Sequence, residues 1–467
     1  MTRLRGIVLW ILVVGVLIGA TGVYLEYQRR AGLYWYDVHA DYRYSFERDG
    51  TRRVPVQVTA TGFSLPDIGR DWDTAVLPLQ VESAPLGRWF EPYIEVLAGD
   101  SRSVQYLDRG GKGRRYLVFG RELLASNRPV SMRGTHVRWP DQGRELLLFS
   151  TPQVASGRML VIAPHPDDAE IAAFAVYAEG DAYIATVTAG DYDDDRYAAL
   201  DPDATGRRSL RGRVRTWDSL AVPTWGGVSP HRIVNLGYWN SSLADLFEAR
   251  NGTAVVGDVP PDPKVYRAGA VGELLPGRDA APTWQSLVDD LRVLIETVRP
   301  TTIVAPHPAL DAAPDHQFTT MALLEALVDS GDQSAVLLLY TNHHVLSEYY
   351  PFGPADSAVT LPPWFDDKPE FGGVYSYPVD GNLRQRKLFA LDDMHDLRPA
   401  PRAVTGRDPV NRFVDLAGDA IRNLWRNPLG TYSYYRRAIR ENELFFVYRP
   451  DERSKISRPV GDQFSYR

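Results

Sequence analysis

Cysteine is missing from all 467 residues, which excludes disulfides and thiolate metal sites and leaves histidine and carboxylate to hold any metal. The absence suits an oxidising compartment. Long basic runs are missing too, and the net charge is −7. The chain therefore carries neither the footprint of a nucleic-acid binder nor a polybasic lipid-binding patch. No internal repeat is present. What the sequence does have is length, enough for two or three domains of about 100–200 residues. It also has 11 tryptophans and 25 tyrosines, which suit β-rich cores and equally suit surfaces that stack on sugar rings.

One long apolar run stands out. Residues 6–25, GIVLWILVVGVLIGATGVYL, carry no charge, and twenty residues at helical rise match a bilayer core of roughly 30 Å. An uncleaved anchor over residues 1–30 is favoured over a cleaved signal peptide, because the run exceeds a usual h-region and no small-x-small site ends it. Arg3 and Arg5 precede the run and Arg29 and Arg30 follow it. The short basic start leaves the N-terminus inside. The expectation is a membrane-anchored protein with its bulk exported, on the periplasmic side of a bacterial inner membrane or at the cell surface.

Residues 31–152 read as a β-sandwich domain. Short apolar or alternating runs (54–60, 75–81, 93–98, 115–119, 136–139 and 145–149) are separated by turn residues such as the GGKG at Gly110 to Gly113. Such a module either binds carbohydrate or packs against its neighbour. From 153 to 467 the pattern becomes α/β, with strands alternating with helices as in a Rossmann-like, mostly parallel sheet. Strands are expected at 159–163, 182–188, 233–237, 301–305 and 335–340, and helices at 168–179, 284–298 and 316–328. Residues 245–283 read as an inserted loop, 396–430 as irregular, and 434–448 as an ordered closing element.

Two segments share one construction: an apolar strand, then proline and histidine, then acidic residues entering a helix. They are LVIAPHPDDAE at 160–170 and IVAPHPALDAAPDHQ at 303–317. In open α/β sheets the carboxyl ends of strands form the ligand crevice, so both segments should deliver polar residues to one place. Asp168 alone could be a helix N-terminal residue. That reading leaves His165 and Asp167 unexplained at the end of a buried strand, where each unpaired charge costs several kcal/mol. A divalent cation removes the difficulty. His165 and Asp168 suit zinc, and His316, which opens the later helix after Asp315, is the natural third ligand beside an open water position.

These boxes resemble the PIG-L/LmbE-like deacetylases, which act on N-acetylglucosaminyl-phosphatidylinositol and on mycothiol precursors. The resemblance covers roughly residues 157–450. It rests on the HPDD box at His165 to Asp168 and the DH pair at Asp315 and His316, with echoes in TAGD (188–191), LGY (236–238) and KLFAL from Lys387. It implies Zn2+, or another divalent cation, held by His165, Asp168 and His316. It also implies Asp167 as general base and an N-acetylglucosamine-type amino sugar as substrate, and the expected anchor and β-domain favour one within a glycolipid or exported polysaccharide. Arg208, Asn240 and Asp191 fall where substrate contacts are expected, with Asn240 standing where relatives often place an acid. A second departure touches catalysis. Three residues before His316 relatives carry a histidine that assists the oxyanion or leaving group, and here that residue is Ala313. His307, His343, His344 and Tyr340, near predicted strand ends, are the candidates to replace it, with the YTNHH run foremost. The alternative is an inactive metal- or carbohydrate-binding scaffold in a polysaccharide assembly system.

Overall fold

The computed structural model describes residues 32–46, 51–69, 71–125, 129–151, 154, 157–250, 252–253, 262–395, 397 and 434–456, with Gly15, Gly19 and Thr21 besides. In the N-terminal part the strands are β1 (Arg52–Val58), β2 (Gly62–Phe63), β3 (Thr74–Ser83), β4 (Tyr93–Ala98), β5 (Ser101–Tyr106), β6 (Lys112–Gly120), β7 (Val130–Thr135), β8 (Val137–Arg138) and β9 (Gln142–Phe149), with a short helix α1 (Arg121–Leu124). One sheet runs β1-β9-β3-β6 with β8 on β3, and the other runs β2-β7-β4-β5. Alternation explains the pairing of the two. Val54, Val56 and Val58 of β1 point inward while Arg53, Pro55 and Gln57 face out, and the inward set meets Ile94, Val96 and Met132 of the second sheet in one core. The first sheet's other face is apolar as well. Val76, Tyr116, Val118, Leu147 and Phe149 join the core of the following α/β region, so the β-rich part is packed into the rest of the protein.

That α/β region holds β10 (Arg158–Ala163), β11 (Asp181–Thr188), β12 (Ile233–Tyr238), β13 (Ala268–Gly269), β14 (Thr302–Pro306), β15 (Val336–Tyr340), β16 (Gly373–Pro378) and β17 (Asn442–Tyr448). Its helices are α2 (Asp168–Ala178), α3 (Ala204–Ala221), α4 (Leu243–Ala249), α5 (Val271–Leu274), α6 (Trp284–Val298), α7 (Pro314–Ser330), α8 (Gly381–Asp393) and α9 (Tyr434–Ala438). The sheet order is β13-β12-β11-β10-β14-β15-β17-β16. Strands β12, β11, β10, β14 and β15 are parallel. They are covered on one face by Leu287, Leu291 and Ile295 of α6 and on the other by Phe174 and Val176 of α2. From β10 the chain progresses one way through β11 and β12, then returns to add β14 and β15 on the other side. The crevice between β10 and β14 is thus a topological switch point, where open α/β sheets bind ligands.

Three expectations are corrected. The sheet is mixed, because β13, β17 and β16 enter it through antiparallel pairings. Strand direction is set by how the chain returns, which a hydrophobic pattern does not encode. Residues 245–283 are more than loop: part of α4, the edge strand β13 and α5 lie there. Among the described residues no helix is long and apolar enough to cross a membrane. The spanning helix in the expected fold class, and the membrane-anchored localisation built on it, are therefore withdrawn. Apart from Gly15, Gly19 and Thr21, residues 6–25 lie outside the described residues, as does nearly all of 396–430.

Candidate metal centre

Strand β10 ends at Ala163, and Pro164 turns the chain so that its carbonyl accepts the Thr188 amide and hydroxyl, both at 2.9 Å. This ties β10 to β11 and leaves residues 165–168 to cross the end of the sheet. The His165 amide donates to Asp168 Oδ2 at 2.9 Å, so Asp168 closes the turn and opens α2. Across the switch point, the chain leaving β14 reaches α7, whose first turn carries Asp315 and His316.

The two turns meet. His165 Nδ1 lies 3.1 Å from Asp168 Oδ2 and 3.1 Å from His316 Nε2, and His316 Nε2 lies 3.1 Å from Asp168 Oδ2. The triangle has equal sides. Ligands at about 2.0–2.2 Å around a tetrahedral zinc stand about 3.3–3.6 Å apart, so a small expansion around a cation separates this set from a zinc site. Each donor is also braced from behind. Asp315 Oδ2 is 3.2 Å from His165 Nε2, Asp311 Oδ2 is 3.1 Å from His316 Nδ1, and Asn342 Nδ2 donates to Asp168 Oδ1 at 2.7 Å. An imidazole held by a carboxylate on its far nitrogen presents a fixed and more basic near nitrogen to a metal.

Charge tells the same story. Burial alone would raise the Asp168 and Asp311 carboxyls, but the neighbouring imidazoles outweigh it and hold both below the usual range, Asp168 well below it. Burial opposes protonation of His165, yet Asp168 and Asp315 overcome it and push the ring up to about 9, and Asp168 and Asp311 likewise raise His316. Three buried carboxylates around two imidazoles form a pocket short of positive charge. Protons or a divalent cation can supply it, and the donor set fits a cation.

Asp167 stays outside the donor triangle, and its Oδ1 accepts from Arg215 Nη2 of α3 at 3.0 Å. Gly190 permits this. It has φ +64°, and a Cβ there would meet Arg215 Nε at 2.3 Å. Asp191 is fully buried. It accepts from Arg208 Nε at 2.7 Å and from the Asn240 amide at 2.9 Å, and the Arg208 guanidinium lies over the Trp239 ring. Asn240 thus enters through its backbone, while its side chain donates to Ser241 Oγ at 2.8 Å. The next amides, Ser241 and Leu243, donate to Asp315, which joins this group to the metal triangle.

The three histidine candidates separate. His307 is buried in an aromatic cluster with Phe371 and Phe446, its Nε2 is 3.1 Å from the Tyr448 hydroxyl, and burial drives its pKa down to about 3. His344 is buried against Tyr350, its Nδ1 takes the Leu346 amide at 3.2 Å, and burial again drives its pKa to about 3. His343 alone of the three borders the triangle, its ring centroid 5.3 Å from that of His316. Its Nδ1 stands 3.5 Å from Glu348 Oε2, which accepts from Arg437 at 2.9 Å. Tyr340, the other candidate, is buried with its hydroxyl raised well above its ordinary range, first by burial and then by Asp168.

Sequence reasoning gave no role to Asp311, Asp315, Asn342 or Arg215. The first two stand inside the quoted second box and Asn342 inside YTNHH, so their positions were visible and their contacts were not. For Arg215 the signal was the glycine of TAGD.

Residues 160–327 match the family model PIG-L, described as GlcNAc-PI de-N-acetylase. No curated protein matches the chain. Among solved structures, GalB, the 4-carboxy-2-hydroxymuconate hydratase of Pseudomonas putida KT2440, is 11% identical with a TM-score of 0.28, covering 62% of this chain and 95% of its own. A family two carbohydrate esterase from Cellvibrio japonicus is 13% identical with a TM-score of 0.15, covering 67% and 88%. At such scores neither likeness carries an argument about fold or function.

Proposed function

We propose that this chain, whose residues 160–327 carry a PIG-L domain, is a metal-dependent N-deacetylase acting on an N-acetylglucosamine-type amino sugar. The observation that carries the reading is the equilateral set of His165 Nδ1, Asp168 Oδ2 and His316 Nε2, half-buried at His165 and buried at the other two, and backed by Asp315, Asn342 and Asp311 at a topological switch point. His165, Asp168 and His316 would hold the cation, Zn2+ by the chemistry of a two-imidazole, one-carboxylate donor set. When bound, zinc supplies Lewis acidity and a water acidified towards a pKa of about 7.

The chain's own groups do the rest. Asp167 adjoins a ligand but leaves the donor set to others, and its bond to Arg215 fixes one oxygen, so the carboxylate is positioned to take a proton from water attacking the acetamide carbonyl. The His343 ring lies beside that of His316, with centroids 5.3 Å apart. Backed by Glu348, it is placed to give a proton to the departing amine, which is expelled poorly without one. Asp191 fixes Arg208 and the 240–241 turn, and the guanidinium over Trp239 offers donors to sugar hydroxyls. The test is zinc-dependent release of acetate from N-acetylglucosamine oligomers and from an N-acetylglucosaminyl glycolipid, abolished by Asp167→Asn. Stoichiometric zinc binding without turnover on a broad amide panel would favour a binding scaffold instead.

A further inference from the structure

Behind the triangle, the chain leaving β14 and the chain leaving β15 run side by side. Ala312 donates its amide to the His343 carbonyl at 2.7 Å, Val345 donates to the Leu310 carbonyl at 3.0 Å, and Asp311 and His344 form an antiparallel bridge. Asp311 sits in this seam with no exposure. Its Oδ1 accepts from the Ala313 amide at 3.1 Å. Its Oδ2 lies 3.1 Å from His316 Nδ1 and accepts from the amides of Asn342 at 2.9 Å and His343 at 3.2 Å. One oxygen therefore meets a ligand imidazole from one strand end and two consecutive peptides from another.

The residues those peptides belong to both matter to the site. The Asn342 side chain holds Asp168, and His343 carries the ring beside His316. We propose that Asp311 is a positioning residue that couples cation binding at His316 to the placement of the 342–343 turn, so that filling the site orders His343. This rests on the reading of His165, Asp168 and His316 as a metal site. The physical basis is that a buried carboxylate shared by an imidazole and two peptide N–H groups has no water to replace any partner, and loss of one loosens the others. The coupling also gives a reason why Ala313 is tolerated: the shared carboxylate presents a histidine from the neighbouring strand end.

The test uses the full chain with Asp311→Asn and Asp311→Ala, and Asp315→Asn as the comparison, because Asp315 braces His165 but touches neither the 342 nor the 343 amide. Amide hydrogen exchange over residues 340–345 is followed by mass spectrometry with and without Zn2+, and Zn2+ affinity is measured by chelator competition. In the unaltered chain Zn2+ should slow exchange in that segment. Both Asp311 variants should bind Zn2+ about 10–100-fold more weakly, as loss of an outer-shell partner does. At saturating Zn2+ they should still exchange faster there, while Asp315→Asn loses affinity but keeps the slowing. Deacetylation at saturating Zn2+ should show kcat down about 100-fold in Asp311→Ala with KM little changed. Full recovery of slow exchange at saturating Zn2+, or equal behaviour of the Asp315 and Asp311 variants, overturns the coupling. Circular dichroism identifies a variant that fails to fold, and Asp311→Asn, which keeps an acceptor oxygen, then decides. Absence of deacetylation by the unaltered chain would count against the proposed function while leaving the exchange and affinity results to judge Asp311.

Discussion

His165 Nδ1 and His316 Nε2 stand 3.1 Å apart although 151 positions separate them in the chain. Two nitrogens this close, each with a carboxylate behind it, repel unless a proton or a cation lies between them. Replacing His316 by alanine should therefore lower zinc affinity by more than the roughly 10–100-fold that loss of an outer-shell partner costs. The protein should remain folded, because α7 is anchored by Met321, Ala322, Leu323 and Ala326 in the main core. Isothermal titration with Zn2+ alone checks this, and unchanged affinity would remove the metal centre from consideration.

Asp167 should separate chemistry from metal binding. Asp167→Asn keeps the size of the side chain and an acceptor for Arg215 but loses the basic carboxylate. Turnover should drop by roughly 10²–10⁴, the range for a positioned general base, with zinc stoichiometry unchanged by elemental analysis. A variant that loses zinc in parallel with turnover would mean that Asp167 serves the cation instead.

Much of this site was legible because its chemistry lies at strand-to-helix junctions, where a few consecutive residues set both the turn and the donors. Pro164 to Asp168 is such a run, and His316 opens a helix whose preceding strand is an unmistakable apolar run. What stayed hidden depends on contacts between distant segments. Asp311 reads locally as one more loop acid, and only the antiparallel seam with residues 342–345 gives it partners. The YTNHH run shows the same limit. Its two histidines are adjacent and lie past the end of β15, at a bend that spans Asn342 and His343. Which one meets the site depends on how β15 ends: His344 is fully buried and His343 borders His316. The apolar run at residues 6–25 lies outside the described residues except for Gly15, Gly19 and Thr21, and no helix among the described residues is long and apolar enough to cross a membrane.

The histidine candidates can be told apart by kinetics. His343→Gln should lower kcat at saturating zinc by about 10²-fold, the lower end of general acid–base contributions. His344→Gln and His307→Gln should act mainly through stability, because both rings are sealed in apolar surroundings away from the triangle. Steady-state kinetics on the three purified variants at one zinc concentration decides. Equal kcat losses in His343→Gln and His307→Gln would remove the special role of His343.

Acid should expose the two buried rings. His307 and His344 have pKa values driven to about 3 by burial, against about 6.5 for an unfolded histidine. Between those limits the unfolded chain takes up protons that the folded chain cannot, so the stability these rings hold above pH of about 6.5 is lost as the pH falls towards 3. Each tenfold rise in proton concentration within that window costs about 1.4 kcal/mol per ring. His165, raised to about 9, acts in the opposite sense and in a different window: in the metal-free protein its contribution is complete below about 6.5 and fades as the pH climbs to about 9. Urea unfolding of metal-free protein at pH values from 4 to 7 reads the buried pair against the opposing slope of Glu170, whose carboxyl burial pushes up to about 8, so a histidine variant is compared with the unaltered chain. His307→Phe should be less stable at pH 7, by about 1–3 kcal/mol for the orphaned Tyr448 hydroxyl, yet lose stability less steeply below pH 6.5. If its slope matched that of the unaltered chain, His307 would have to take up its proton in the folded state, and its seal against Phe371 and Phe446 would have to be open to water.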